Sequence, residues 1–242
     1  MRFPPLKKLH RLPRFLLDFA IFKRAAAESG ARLPKLRDTR AMVEDATPGT
    51  GFDAQYVYHC GWAARELARR LPAKHVDFSS ALWFVSIASA ICPIDHYDYR
   101  PPALEIPNVG VGACDLEKLP FDDQALNSVS CMHVVEHIGL GRYGDKIDPT
   151  GDQKAMRELS RVLAPGGVLL FAVPVGRPRT VFNAHRIYAY EEIVAAFPDL
   201  VVESFALITD SKHGSKLLFD ADPGLVAEQK YACGCWVFKR PA

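Results

Sequence analysis

The chain has 242 residues, 49% of them apolar, and a net charge of +2. That length suits one α/β domain with terminal additions and a sizeable core. No apolar run reaches the roughly 18 residues of a membrane span, and the N-terminus lacks the small-residue cleavage site of a secretory signal, so a cytoplasmic setting is expected. Charge is unevenly placed: residues 1–37 carry ten Lys or Arg against Asp18 and Glu28, a net +8, while the remainder carries 20 basic and 26 acidic residues, a net −6.

Residues 1–40 are read as a basic arm and 41–242 as the main domain. In the arm, Pro13 suits the first turn of a helix. Phe15, Leu16, Phe19, Ile21 and Phe22 follow, with Arg14, Asp18, Lys23 and Arg24 between them, which gives a wide apolar face. Such a helix either packs on the domain with its basic edge in solvent or lies on an anionic membrane surface. Nucleic acid is not favoured as a partner. Thr47, Pro48, Gly49, Thr50 and Gly51 form a loop after the arm.

From Asp53 the pattern alternates. Helices are expected over 55–71, 81–90, 153–163 and 190–197, where apolar residues recur at helical spacing. Strands are expected over 75–78, 93–99, 109–113, 128–133, 168–174, 200–208 and 232–239. Seven strands interleaved with helices predict a doubly wound, mostly parallel sheet with helices on both faces. Ligands of such sheets bind at the carboxyl ends of the strands. The chain has six cysteines. Cys60, Cys92, Cys114 and Cys131 stand singly in apolar segments, as reduced core thiols do. Cys233 and Cys235 are one residue apart, which is not the spacing of common zinc sites, so no metal is expected there.

Two stretches carry a family resemblance. The run from Leu159 through Ala164-Pro165-Gly166-Gly167 to Pro174 is a helix, a reversing turn and a buried strand. The run Cys114-Asp115-Leu116-Glu117-Lys118-Leu119-Pro120-Phe121-Asp122-Asp123 follows a strand. Both resemble class I S-adenosylmethionine-dependent methyltransferases, over about residues 53–240. The resemblance implies a seven-stranded Rossmann-like sheet with an antiparallel last strand and S-adenosylmethionine as cofactor. It implies that Asp115 accepts from the adenine amino group and that Leu116 meets the ring. Asp98 ends the second strand, where the family places an acid on the ribose hydroxyls; Asp95 competes for that role.

The first turn departs from the family. Where a glycine-rich run is usual, this chain reads Val76-Asp77-Phe78-Ser79-Ser80-Ala81. Glycine serves there because the backbone approaches the ligand closely and takes positive φ. Asp77, Ser79 and Ser80 stand in for it as cofactor-binding candidates. After the fourth strand, His133 and His137 are the catalytic candidates, and His133 also borders the cofactor; a neutral imidazole there is a general base for an acceptor hydroxyl. Val134, Val135 and Glu136 complete the string His-x-x-Glu-His, which is also the inverted zincin signature, a remote zinc hydrolase alternative that needs both histidines on one helix.

The polar loop 141–149 is a candidate lid or acceptor-binding loop. His185, Arg186 and Tyr188 are further acceptor candidates, with Arg177 and Arg179 placed for an anionic group. The resemblance thus implies methyl transfer to oxygen or nitrogen of a small molecule or sugar, by analogy in glycan biosynthesis. The rival is a methyltransferase-fold binding module without turnover, docked by its basic arm to a membrane or partner.

Overall fold

The structure is a computed structural model that describes residues 11–242. Arg2, Lys7 and Lys8 of the basic arm lie outside the described residues. The chain divides into two compact units at Phe52/Asp53. That is later than the expected boundary at residue 40, because the arm's continuation folds back along its own helix: the Arg11 guanidinium donates to the Val43 carbonyl at 3.0 Å.

In the first unit, helix α1 (Leu12–Ser29) has proline in its first turn and ends at Gly30, whose φ of +69° suits a residue without Cβ. Arg14–Asp18 and Arg24–Glu28 pair one turn apart along it. Leu16, Leu17, Ile21 and Phe22 are all exposed. No described helix is long and apolar enough to cross a membrane.

The second unit is an eight-stranded sheet. Its strands are β1 (His75–Phe78), β2 (Ile94–Asp98), β3 (Val109–Ala113), β4 (Leu126–Met132), β5 (Leu163–Val175), β8 (Val201–Ile208), β9 (Leu217–Leu218) and β10 (Ala232–Lys239), in the order β3-β2-β1-β4-β5-β10-β8-β9. β1 to β5 pair in parallel, and β10 runs antiparallel to both β5 and β8. This is the doubly wound sheet expected, with β9 added as a short antiparallel edge on β8. A separate hairpin of β6 (Arg179–Val181) and β7 (His185–Ile187) follows β5, in a segment whose sequence reads as loop. The Pro165-Gly166-Gly167 turn is not a gap between helix and strand: α4 (Gly151–Val162) runs directly into β5, and Gly166 at φ +74° bends the strand.

Strand side chains alternate between the faces. One face packs Val76, Phe78, Val129, Cys131, Phe171 and Trp236 against α4 and α5 (Tyr190–Ala196), through Met156, Leu159, Ile193 and Phe197. The other packs Ile94, Met132, Leu170, Ala172, Cys233 and Cys235 against α2 (Ala54–Arg70) and α3 (Leu82–Ala88), through Trp62, Leu67, Phe84 and Val85. All six cysteines are buried thiols.

The α2/α3 face also holds a buried polar row across the centre of the sheet. Asp77 is fully buried. Its Oδ2 accepts from His96 Nδ1 at 2.8 Å and from the Ser80 amide at 3.2 Å, and its Oδ1 accepts from the Ser130 hydroxyl. His75, also fully buried, bridges Ser128 and Ser130 at 2.8 and 2.9 Å. Strand register puts Asp77 level with His96 on one side and Ser130 on the other, so the row follows from pairing alone.

Candidate functional site

The carboxyl ends of the parallel strands open into one cavity of about 370 Å³. Ser79 follows β1, Asp98 ends β2, His133 follows β4, and the turn after β3 supplies Asp115 and Leu116; all five line it, together with His137 and Tyr143. Ser79 and His133 both have left-handed backbones, at φ +56° and +57°. Ser79 thus adopts the conformation for which glycine is favoured, held by its amide and hydroxyl to the Tyr97 carbonyl at 2.9 and 3.3 Å.

The two acids are presented alike. Asp98 Oδ1 accepts from the Arg100 amide at 2.7 Å, and Asp115 Oδ1 accepts from the Glu117 amide at 2.9 Å. Each Asx-type turn fixes one oxygen locally and leaves the carboxylate with acceptor capacity toward the cavity. The rival acid Asp95 does not line the cavity; its Oδ2 pairs with Lys74 at 2.6 Å.

Asp77 and Ser80, expected among the cofactor contacts, do not line the cavity. Asp77 is consumed by the polar row, and Ser80, itself buried, accepts from the Met132 amide at 3.2 Å. They hold the first turn from beneath, and Ser79 alone of the three lies on the wall.

The two histidines are unlike. His133 is buried, its Nδ1 is 3.0 Å from Glu136 Oε1 and its Nε2 3.2 Å from Cys233 Sγ. Burial alone would lower its pKa, but the Cys233 and Glu136 contacts raise it above the ordinary imidazole value. Burial also pushes the Cys233 thiol well up, which keeps it protonated at neutral pH and leaves the Glu136 carboxylate as the charge His133 feels. Glu136 itself is fully buried; burial opposes its charge, and His133 and His137 hold its pKa below the usual carboxylate value. His137 is half-buried, and its Nδ1 meets the Ala184 carbonyl at 2.6 Å. A carbonyl only accepts, so Nδ1 carries the proton and Nε2 keeps its lone pair. Burial lowers the His137 pKa, partly offset by Glu136, so the ring is neutral at pH 7.

The zinc hydrolase reading fails on local structure. His133 directly follows β4 and Val135–His137 is a single 3-10 turn, so the two histidines do not share an α-helical face.

The loop after this turn is built by Asp145. Its Oδ2 accepts from the Gly139 and Gly141 amides at 2.8 and 3.2 Å, and its Oδ1 from the Tyr143 amide at 3.1 Å. Tyr143 stands between two guanidiniums, Arg100 at 5.0 Å and Arg142 at 5.1 Å from the ring centre. Sequence marked this loop but not Arg100, Tyr143 or Asp145 individually. Arg186 and Tyr188, read as acceptor contacts, brace it instead. Arg186 is buried and donates to the Ile138 and Pro149 carbonyls at 2.7 and 3.3 Å, and the Tyr188 hydroxyl donates to Asp152 Oδ2 at 2.9 Å. His185 packs on Tyr231, and Arg179 donates to the Arg177 and Lys230 carbonyls. A second, wider hollow of about 800 Å³ beside α4 and α5 contains none of the strand-end carboxylates.

Comparison with solved structures agrees with this geometry. The N-methyltransferase NodS from Bradyrhizobium japonicum, solved in complex with S-adenosylhomocysteine, aligns over 84% of this chain and 94% of its own, at 15% identity and a TM-score of 0.53. The YcgJ protein from Bacillus subtilis aligns over 77% and 99%, at 14% identity and 0.54. The cyclase SpnF aligns over 75% and 80%, at 12% identity and 0.51. The chain has the class I methyltransferase fold. At these identities the likeness concerns fold alone, and SpnF is described by a different reaction. A family described as "Caenorhabditis protein of unknown function, DUF268" matches residues 120–213. That segment contains His133, His137 and the Asp145 loop but not Ser79, Asp98 or Asp115. No curated protein matches the sequence.

Proposed function

We propose that the protein is an S-adenosylmethionine-dependent methyltransferase acting on an oxygen or nitrogen of a small molecule or sugar. The observation that carries this reading is the convergence of Asp98 and Asp115 on one cavity beside the left-handed Ser79. The cavity has the size of a small-ligand site. Asp98 is placed for the ribose hydroxyls, Asp115 for the adenine amino group and Leu116 for the ring face, while Ser79 brings the first turn close without a bulky side chain. When bound, the cofactor supplies an electrophilic methyl group on a sulfonium sulfur.

The protein's own part is to position the acceptor and take its proton. His137 suits the second task better than His133. Its ring is neutral and its Nε2 has only long contacts, to Arg142 Nη1 at 3.5 Å and Glu136 Oε1 at 3.6 Å, whereas both His133 nitrogens are engaged at 3.0 and 3.2 Å. Tyr143, Arg142 and Lys146, all exposed on the Asp145 loop, give the acceptor side a polar rim.

Calorimetry with S-adenosylmethionine and S-adenosylhomocysteine tests this. Micromolar binding is expected, weakened about 10–150-fold in Asp98→Asn and Asp115→Asn, the equivalent of losing one charged hydrogen bond. No heat at millimolar ligand, or full affinity in both variants, overturns the reading. Binding without turnover on any acceptor would favour the module reading.

The exposed Leu16, Leu17, Ile21 and Phe22 of α1 favour a second, separate proposal, that α1 lies on an anionic membrane surface. Sedimentation with anionic vesicles should fall when residues 1–37 are removed; unchanged sedimentation rejects it.

A further inference from the structure

Around His133, three elements far apart in sequence bring metal-ligand side chains together, and the other two ligands do not line the cavity. α2 contributes His59, the end of β4 contributes His133, and β10 contributes Cys233. All three are buried, and one donor atom from each lies within 4.8 Å of the others. The methyl-transfer reading uses neither His59 nor Cys233.

Hydrogen bonding prepares both imidazoles as ligands. His59 Nδ1 is 2.7 Å from the Gln55 carbonyl, and His133 Nδ1 is 3.0 Å from Glu136 Oε1. Each acceptor holds a hydrogen bond from Nδ1–H, so the nitrogen left for a metal is Nε2; on His133, whose pKa is raised, the ion displaces the Nε2 proton. His133 Nε2 is 3.2 Å from Cys233 Sγ, and His59 Nε2 is 3.4 Å from Cys60 Sγ. A ligating histidine held by a carboxylate and another by a backbone carbonyl are the outer supports that zinc sites use. Glu136 also has a buried Oε2 with no hydrogen-bond partner. A fully buried carboxylate so placed is better satisfied when the ring beside it bears on a cation.

The distances suit zinc. Bonds of about 2.0–2.1 Å to nitrogen and about 2.3 Å to sulfur place neighbouring ligand atoms of a tetrahedron roughly 3.3–3.8 Å apart. His133 Nε2 and Cys233 Sγ, 3.2 Å apart, are close to that spacing, and the His59 donor lies within 4.8 Å of both; Cys235 Sγ, 3.8 Å from Cys233 Sγ on the same face of β10, falls outside this group. Cys233 is uninformative in sequence because its two partners are elsewhere in the chain.

We propose that His59, His133 and Cys233 bind a zinc ion through three side-chain ligands. Nitrogen and sulfur ligands in this number select zinc over the harder divalent ions. Binding releases the Cys233 thiol proton and the His133 Nε2 proton to solvent. The ion ties α2 to the ends of β4 and β10, and it fixes the His133 ring as one wall of the cavity rather than as a base.

The experiment uses the full chain, without a metal-binding tag, expressed with zinc and measured by elemental analysis. About one zinc per chain is expected, with a lowered melting temperature after chelation. Cobalt replacement should give tetrahedral visible bands and a sulfur-to-cobalt charge-transfer band. His59→Gln and Cys233→Ser should lose the metal, and Cys92→Ser, a buried thiol outside the cluster, should keep it. Metal-free protein, a cobalt spectrum without sulfur charge transfer, or His59→Gln with full zinc content overturns the proposal. If the variants fail to fold, the wild-type cobalt spectrum decides. None of these readouts involves S-adenosylmethionine, so this proposal and the methyltransferase reading fail independently.

Discussion

Asp77 separates a ligand contact from a structural support. Its carboxylate accepts three hydrogen bonds, from His96 Nδ1, the Ser80 amide and the Ser130 hydroxyl, and none of it reaches solvent. In Asp77→Asn the side chain keeps its volume but has one acceptor oxygen. If that oxygen stays with His96 and Ser80, the new amide faces Ser130, whose hydroxyl must turn away. At least one bond to a charged acceptor is lost, at a cost of about 2–3 kcal/mol. For a unit of this size that is a fall of about 4–12 °C in melting temperature. Urea unfolding followed by circular dichroism measures it. Because Asp77 is absent from the cavity wall, calorimetry should show the folded variant binding S-adenosylmethionine within a few-fold of wild type. Unchanged stability with lost binding would refute the assignment and return Asp77 to the ligand.

Further outcomes follow from the same geometry. His75 is fully buried, and burial lowers its pKa from 6.5 to about 4, with Asp77 opposing. The unfolded chain therefore binds a proton that the folded one resists. Stability is fully present above pH 6.5 and declines as pH falls toward 4, by about 3 kcal/mol in total; unfolding across that range should show a shallower slope in His75→Gln, and equal slopes would reject it. Gly139 has φ +76°, and a Cβ there would overlap the Asp148 carbonyl oxygen. Gly139→Ala should cost about 3 kcal/mol or displace the Asp145 loop, seen as faster proteolysis between residues 139 and 150. Asp145→Ala removes the acceptor of three loop amides. It should loosen the same loop while leaving the core melting within a few degrees.

The fold was legible because its central strands β1, β5 and β10 are almost wholly buried and its helices carry one buried face. β1, β3 and β10 appear at the residues expected, and the helices of the second unit fall within a few residues of expectation. What escaped was set by partners rather than pattern. The β6–β7 hairpin is short and its first strand is exposed, so no burial pattern marks it. Arg186 looks like an acceptor-binding cation until its guanidinium is seen capping the Ile138 and Pro149 carbonyls. His75, Asp77, Ser128 and Ser130 did carry a signal, since polar residues at every second position of two core strands predict a buried row once the strands are known to be neighbours.

The first turn shows most clearly how far residue type can be trusted. Losing glycine between Phe78 and Leu82 weakens the case for a nucleoside site, on the ground that close approach and positive φ need it. Yet the backbone takes the conformation that favours glycine without a glycine there: Ser79 sits at φ +56°, a region that costs a side-chain-bearing residue of order 1 kcal/mol. That strain is held in place by Ser79's own bonds to Tyr97 and by the Ser80 and Asp77 bonds beneath it. A turn with no remaining task would be free to relax to an unstrained conformation. Ser79→Gly therefore discriminates. If the turn still serves a ligand, glycine relieves the strain, removes a side chain from the cavity wall, and should tighten S-adenosylmethionine binding with little change in stability. If calorimetry shows no gain in affinity while stability rises by about 1 kcal/mol, the left-handed turn is a relic of the fold and not part of a working site.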